Sequence, residues 1–195
     1  MRGSTSAEPR RRRCLQPLLA VLVLLGGPAV AAEGFTILRA SAEISGERIV
    51  VSGSMDLELS EAAETALAKG IPLDILIEFR LQRHRRFWLD AKLGEWTLRA
   101  QIKYHALSGL YLVALQGSRQ AETFSSQRAA LDYIGTLSRV SFPLPPGAEP
   151  PGDEYLLRLR ARMDLDSLPA ALRPMAYTRS AWRLKSKWTD VALAP

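Results

Sequence analysis

The chain has 195 residues, 47% hydrophobic and 24% charged, enough to bury one substantial core, and it carries a formal net charge of +6. That charge sits mostly at one end. Residues 1–32 hold +4 through Arg2 and Arg10 to Arg13 against Glu8, and the remainder is nearly balanced at +2, which removes the main support for nucleic-acid binding. The only cysteine, Cys14, lies in the same terminal stretch, so disulfides, thiolate metal sites and cysteine catalysis are excluded elsewhere.

In chain order, Arg10 to Arg13 precede an apolar run, Leu15 to Leu25, which is broken by Gly26, Gly27 and Pro28 and followed by Ala29, Ala31 and Ala32. This is the basic, apolar and small-residue succession of a secretory signal peptide over residues 1–32. The run is shorter than the roughly 20 residues needed to span a bilayer. Cleavage after Ala31 or Ala32 would leave a mature N-terminus at Ala32 or Glu33, with residues 33–195 as a single sheet-rich domain in the periplasm. Retention as a signal anchor, and secretion, are the alternatives.

Thr36 to Ile44 alternates, with Leu38, Ala40, Ala42 and Ile44 on one face. Ser45-Gly46-Glu47 reads as a turn, and Ile49 to Leu59 alternates again with Ile49, Val51, Met55, Leu57 and Leu59 inward, so the pair is a hairpin. Ser60 is an N-cap for a short helix over Ala62 to Lys69, with Glu61 and Glu64 in its first turn, Ala63, Ala66 and Leu67 inward and Gly70 at C′. From Pro72, Leu73, Ile75, Ile77, Phe79 and Leu81 alternate with polar residues, Leu76 being the exception.

After a polar corner at His84-Arg85-Arg86, Phe87, Leu89, Ala91 and Leu93 are apolar at odd positions, whereas Trp96 to Tyr104 is apolar at even ones. A strand changes face only by adding a residue, so the switch predicts a β-bulge or tight turn at Gly94; a short helix over Phe87 to Lys92 is the competing reading. Trp96 to Gln116 reads as a hairpin at the centre of the sheet, turning through Ala106 to Gly109. Its return strand, Leu110 to Leu115, is wholly apolar and therefore expected to be covered on both faces.

Gly117 to Thr123 is a loop, and Ser125 or Ser126 caps a helix running to Leu137 with Ala130, Leu131 and Ile134 at helical spacing. A proline-rich connection over Pro143 to Gly152 follows. Tyr155 to Leu165 alternates, with Arg158, Arg160 and Arg162 outward. Asp166 or Ser167 caps a turn of helix near Pro169. Trp182 to Trp188 reads as the last strand, with Trp182, Leu184 and Trp188 inward and Arg183, Lys185 and Lys187 outward. The fold class is thus α+β or mostly β: an antiparallel sheet or β-sandwich of about seven or eight strands with two short helices.

No nucleophile elbow, phosphate-binding loop or dinucleotide fingerprint is present. His84 and His105 lack metal-binding spacing, and the carboxylate pairs Asp153-Glu154 and Asp164/Asp166 fall at loop or strand ends. No catalytic, metal or cofactor residue is assigned, and the expectation is a non-enzymatic protein without a cofactor. Tyr104 and His105, at the hairpin tip, are the residues closest to a reactive pair. The most suggestive surface is cationic: if the strands carrying Arg158, Arg160, Arg162 and Arg183, Lys185, Lys187 adjoin, six positive charges cluster beside Trp182 and Trp188. Such a face suits anionic lipid headgroups or an acidic partner, or serves only as a solvated exterior that protects strand edges.

Four stretches carry a family resemblance: Gly70-Ile71-Pro72-Leu73; Tyr104-His105-Ala106-Leu107-Ser108 with Tyr111; Leu172-Arg173-Pro174-Met175-Ala176-Tyr177; and Trp182-Arg183-Leu184-Lys185-Ser186-Lys187-Trp188. Together, over about residues 34–193, the chain resembles the bacterial exported family known as domain of unknown function 4390, departing from it at Lys185, where a small polar residue is more usual. The resemblance carries no activity, cofactor or catalytic residue. It implies an association with a membrane histidine kinase of the nitrogen-regulation type, because members are typically encoded beside one. The expected function is a periplasmic binding or interaction domain, accessory to a membrane signalling protein. An envelope protein touching anionic lipid through its basic strand face is the alternative, and an uncharacterised enzyme the third.

Overall fold

The structure is a computed structural model that describes residues 34–83, 91–146 and 155–194. The chain divides into two units, Met1–Ala31 and Ala32–Pro195, and every element below belongs to the second. The signal peptide expected over residues 1–32, the corner at His84, the first part of the Phe87–Leu93 run and the pair Asp153-Glu154 lie outside the described residues.

The chain is mostly β. Nine strands are described: β1 (Gly34–Ser45), β2 (Arg48–Glu58), β3 (Leu73–Arg83), β4 (Ala91–His105), β5 (Leu110–Leu115), β6 (Glu122–Phe124), β7 (Thr136–Pro143), β8 (Tyr155–Met163) and β9 (Thr189–Ala194). Three helices accompany them, α1 (Glu61–Ala68), α2 (Gln127–Gly135) and α3 (Arg173–Thr178), with a 3-10 turn at Ser180–Trp182. The strands form one sheet in the order β6-β5-β4-β3-β8-β9-β1-β2-β7. All neighbours are antiparallel except β1 and β9, which run parallel through Ala42–Leu193 and Glu43–Ala194. The sheet is therefore mixed and has one or two strands more than the sequence pattern predicts.

The sheet curls so that its end strand β7 packs against β3 and β4. Phe142 on the terminal strand β7 packs its ring 4.7 Å from Phe79 of β3 and 5.4 Å from Trp96 of β4. Inside the curl lie Leu73, Ile75, Ile77, Phe79 and Leu81 of β3, with Leu157, Leu159, Ala161 and Met163 of β8, all buried. Burying such side chains contributes about 1.5–3 kcal/mol each, and both strands keep the period of two that their sequences display.

The β4 switch falls where alternation places it. Leu81 pairs with Gly94 and Gln82 with Lys92, so Leu93 is the extra residue of a bulge. Gly94 is required there: a Cβ would stand 2.5 Å from the Trp96 ring and 2.9 Å from Pro145. The β4–β5 turn closes with the Gly109 amide donating to the His105 carbonyl at 2.9 Å while Gly109 takes φ 68, a conformation that costs glycine nothing.

Several expectations are corrected. The β4–β5 hairpin is not central: β8 occupies the middle, and β5 is second from an end. β5 is not covered on both faces either, since only Val113 is buried while Ala114 and Leu115 are exposed. Its sole outer neighbour is the short β6, which pairs with Tyr111 to Val113. Leu38, expected inward, is 59% exposed, because a register shift between Ile37 and Arg39 makes it the extra residue of a bulge opposite β2. Ser126 does cap α2, accepting from the Ala129 amide, but the helix stops at Gly135 and Leu137 belongs to β7. Near Pro169 there is no helix; Asp164 accepts from the Asp166 amide in a turn, and the third helix begins at Arg173.

The stretch Trp182 to Trp188 is not a strand. It runs beside β8 through the Met163 amide donating to the Leu184 carbonyl, a single bridge between Arg162 and Lys185, and the Ser186 amide donating to the Ala161 carbonyl. The Ser186 hydroxyl accepts from the Ala161 amide at 3.0 Å, taking the place a backbone carbonyl would hold in a ladder. Burial still alternates, with Trp182, Leu184 and Ser186 buried and Arg183, Lys185 and Lys187 exposed.

Candidate functional site

The six residues expected to form a basic face fall into two unlike groups. On the outer surface of β8, Arg160 and Arg162 reach across to β3 and both donate to Glu78, the Nε contacts being 2.9 and 2.7 Å. Glu78 lies opposite Arg160 in the ladder. Burial alone would raise its carboxyl pKa, but the hydrogen bonds and charges of Arg162 and Arg160 outweigh that and hold it below the ordinary carboxylate value. Arg158 donates to Asp190 of β9 at 2.7 Å. Arg80 of β3 donates to Glu95 of β4 at 2.7 Å, and Lys92 joins the same carboxylate.

Further along the face, the Arg99 guanidinium bridges Asp74 at 2.7 Å and Asp164 at 3.0 Å. Both carboxylates are buried, and Gln101 donates to the second oxygen of Asp74 at 2.8 Å. Leu76, the odd apolar residue of β3, lies in register between Arg99 on one side and Arg162 on the other. It is 4% exposed, and the aliphatic stems of long cationic side chains are suited to shielding such a residue.

Trp188 belongs to this outer face rather than the interior. The guanidinium carbons of Arg80 and Arg160 each lie 4.4 Å from its ring centre, and that of Arg158 lies at 5.8 Å. Trp182, by contrast, is 2% exposed and lines a cavity of about 390 Å³ between α1 and α3 with Ala62, Ala66, Ile71 and Met175. Its buried indole N–H has no hydrogen-bond partner among the described residues. The structure therefore separates the two tryptophans that the sequence placed together.

The second group is Arg183, Lys185 and Lys187, all exposed. Arg183 donates to the Thr178 carbonyl at 3.4 Å, and none of the three enters an ion pair among the described residues. Four successive peptide units span at most roughly 14 Å, so the backbone positions that carry these charges form one short strip. Arg183 and Lys185 also wall a cavity of about 190 Å³ with Arg162, Asp166 and Tyr177. The Tyr177 hydroxyl donates to the Asp166 carboxylate, and that hydrogen bond raises its pKa above the usual phenol range.

His105 is exposed at the hairpin tip with Nδ1 3.0 Å from the Ser108 hydroxyl. Tyr104 is half-buried, its ring 4.9 Å from that of Tyr111. The two side chains follow the strand's alternation to opposite faces, so they do not converge on one point. Sequence reasoning missed Glu78, Asp190 and Tyr177. The first two are outward polar residues whose importance depends on register, and the third falls within the Leu172–Tyr177 stretch that already carried the family resemblance.

Among the described residues no group of three or more histidine, cysteine or carboxylate side chains is placed to hold a metal ion, and no helix is long and apolar enough to cross a membrane. No match was found among curated proteins or among solved structures. The family described as Domain of unknown function (DUF4390) matches residues 32–192, and the chain belongs to that family.

Proposed function

We propose that this protein is a non-enzymatic binding domain of the bacterial cell envelope, exported to the periplasm and accessory to a membrane sensor kinase. The observation that carries the reading is the strip Arg183, Lys185 and Lys187: three exposed cations on one side of the chain, none held by a carboxylate among the described residues. Unengaged charges act on an approaching surface, whereas charges satisfied within the fold do so weakly. An acidic surface of a membrane signalling protein is the partner that this chemistry fits. Crosslinking in intact envelopes tests it. The native chain should give a discrete protein adduct that is lost when Arg183, Lys185 and Lys187 are all replaced by alanine. The same adduct from the triple variant would overturn the assignment.

The compactness of the strip favours a second reading, direct contact with anionic lipid. Each cation near such a surface contributes up to about 1 kcal/mol, so the triple variant should lose low-salt co-sedimentation with anionic vesicles. Native protein that ignores such vesicles would remove this reading and leave the protein partner.

A further inference from the structure

We propose that the cavity walled by Arg162, Arg183 and Lys185 is a binding pocket for the phosphoryl group of a phosphomonoester. The inference rests on the cationic reading of the strip above and names the chemistry that one end of it recognises. The pocket is where the two groups meet. Arg162 closes it from the end of β8, Arg183 and Lys185 close it from the neighbouring segment, and the single bridge between Arg162 and Lys185 fixes that meeting.

Two arginines and a lysine line a volume of about 190 Å³, whose floor is completed by the apolar Met163, Leu165 and Leu184. That is below the roughly 300–1,000 Å³ of pockets that enclose whole ligands, so it suits a compact anionic group whose substituent projects outward. Arg162 donates its Nε to Glu78 at 2.7 Å and holds Nη1 3.9 Å from the Asp164 carboxylate, and a guanidinium has further donors to offer. Arg183 makes only the long contact to Thr178, and Lys185 is unpaired among the described residues. Planar guanidinium forks beside a point-charge ammonium match the several strong acceptor oxygens of a phosphoryl group.

Asp166 also lines the pocket and opposes an anion, although its carboxylate accepts the Tyr177 hydroxyl. It therefore sets the affinity low and makes it adjustable. Replacing it should tighten binding, an effect that simple loss of structure would not produce. Lys187 belongs to the strip but not to the pocket wall, which separates this inference from the one on which it rests.

Titration of the full chain with inorganic phosphate, up to about 10 mM to cover a millimolar dissociation constant, is the first arm. Arg183→Ala with Lys185→Ala should weaken binding on the order of tenfold. Asp166→Asn should strengthen it by about threefold, and Lys187→Ala should leave it within about twofold. The second arm distinguishes sources. Vesicles containing phosphatidic acid that capture the protein, and release it to inorganic phosphate, identify a lipid headgroup; phosphate binding without vesicle capture identifies a soluble phosphomonoester. Absence of phosphate binding overturns the pocket, as does an equal loss in Lys187→Ala, which would return the effect to diffuse charge. The envelope adduct of the preceding section can fail while phosphate binding survives, and the reverse, so the two failures are told apart.

Discussion

Arg158, Arg160 and Arg162 alternate along one stretch of chain, and Arg183, Lys185 and Lys187 alternate along another; in sequence the two triplets look alike. In the fold the first is tied down by Glu78 and Asp190 across strand ladders, while the second is exposed and without an ion pair among the described residues. Alternation decides which way a side chain points. What stands opposite it, on the neighbouring strand and tens of residues distant in sequence, decides whether its charge remains available. The second triplet keeps its charges outside ion pairs among the described residues, and of the first only Arg162 borders the cavity beside it.

The largest effect expected lies beneath the tethered half. Phe79, the inward neighbour of Glu78, is fully buried and packs on Phe142, so Phe79→Ala should cost about 3–5 kcal/mol in urea unfolding. Glu78→Ala comes next, at about 1.5–3 kcal/mol, because it leaves two guanidiniums without their carboxylate. A loss for Glu78→Ala no greater than that of an exposed residue would erase the distinction between the triplets.

Acid should act through the same carboxylate. Its folded pKa is depressed below 4.5, so its stabilising contribution is fully present above the unfolded value and is lost as pH falls through the folded one. The stability difference between native protein and Glu78→Gln should therefore be constant near neutrality and shrink in acid, as urea melts along a pH series would reveal. The smallest effect belongs to the other triplet. Arg183→Ala, Lys185→Ala and Lys187→Ala together should shift stability by about 0.5 kcal/mol or less, with the change appearing in binding instead.

Much of the architecture can be read locally. The inward series of β3 and β8, the caps Ser60 and Ser126 and the bulge beside Gly94 all depend on near neighbours in the chain. The errors share a different cause. The apolar run of β5 implies two covered faces only if partners exist to cover it, and β6 is too short to do so. Trp182 to Trp188 keeps the burial period of a strand, yet the Ser186 side chain replaces a ladder contact, which periodicity cannot register. Trp188 is apolar, which predicts an inward side chain; three guanidiniums give its ring a place outside. The pairing of Glu78 with Arg160 and Arg162 joins residues more than 80 positions apart, and without register no local pattern reveals it.

The parallel contact of β1 with β9 has a consequence in time rather than in space. Among the described residues, β1, β2 and β7 are hydrogen-bonded to the other strands of the sheet only through β9, so the seam closes between the earliest and the latest strands described. A chain emerging from its N-terminus can pair β1 with β2 at once, but it cannot complete the sheet until Thr189–Ala194 has appeared. Such a contact of high sequence separation is formed against a large loop entropy and belongs to the slow steps of folding. Until then the two groups of strands remain unsealed, so the closing of the sheet waits on the last strand described.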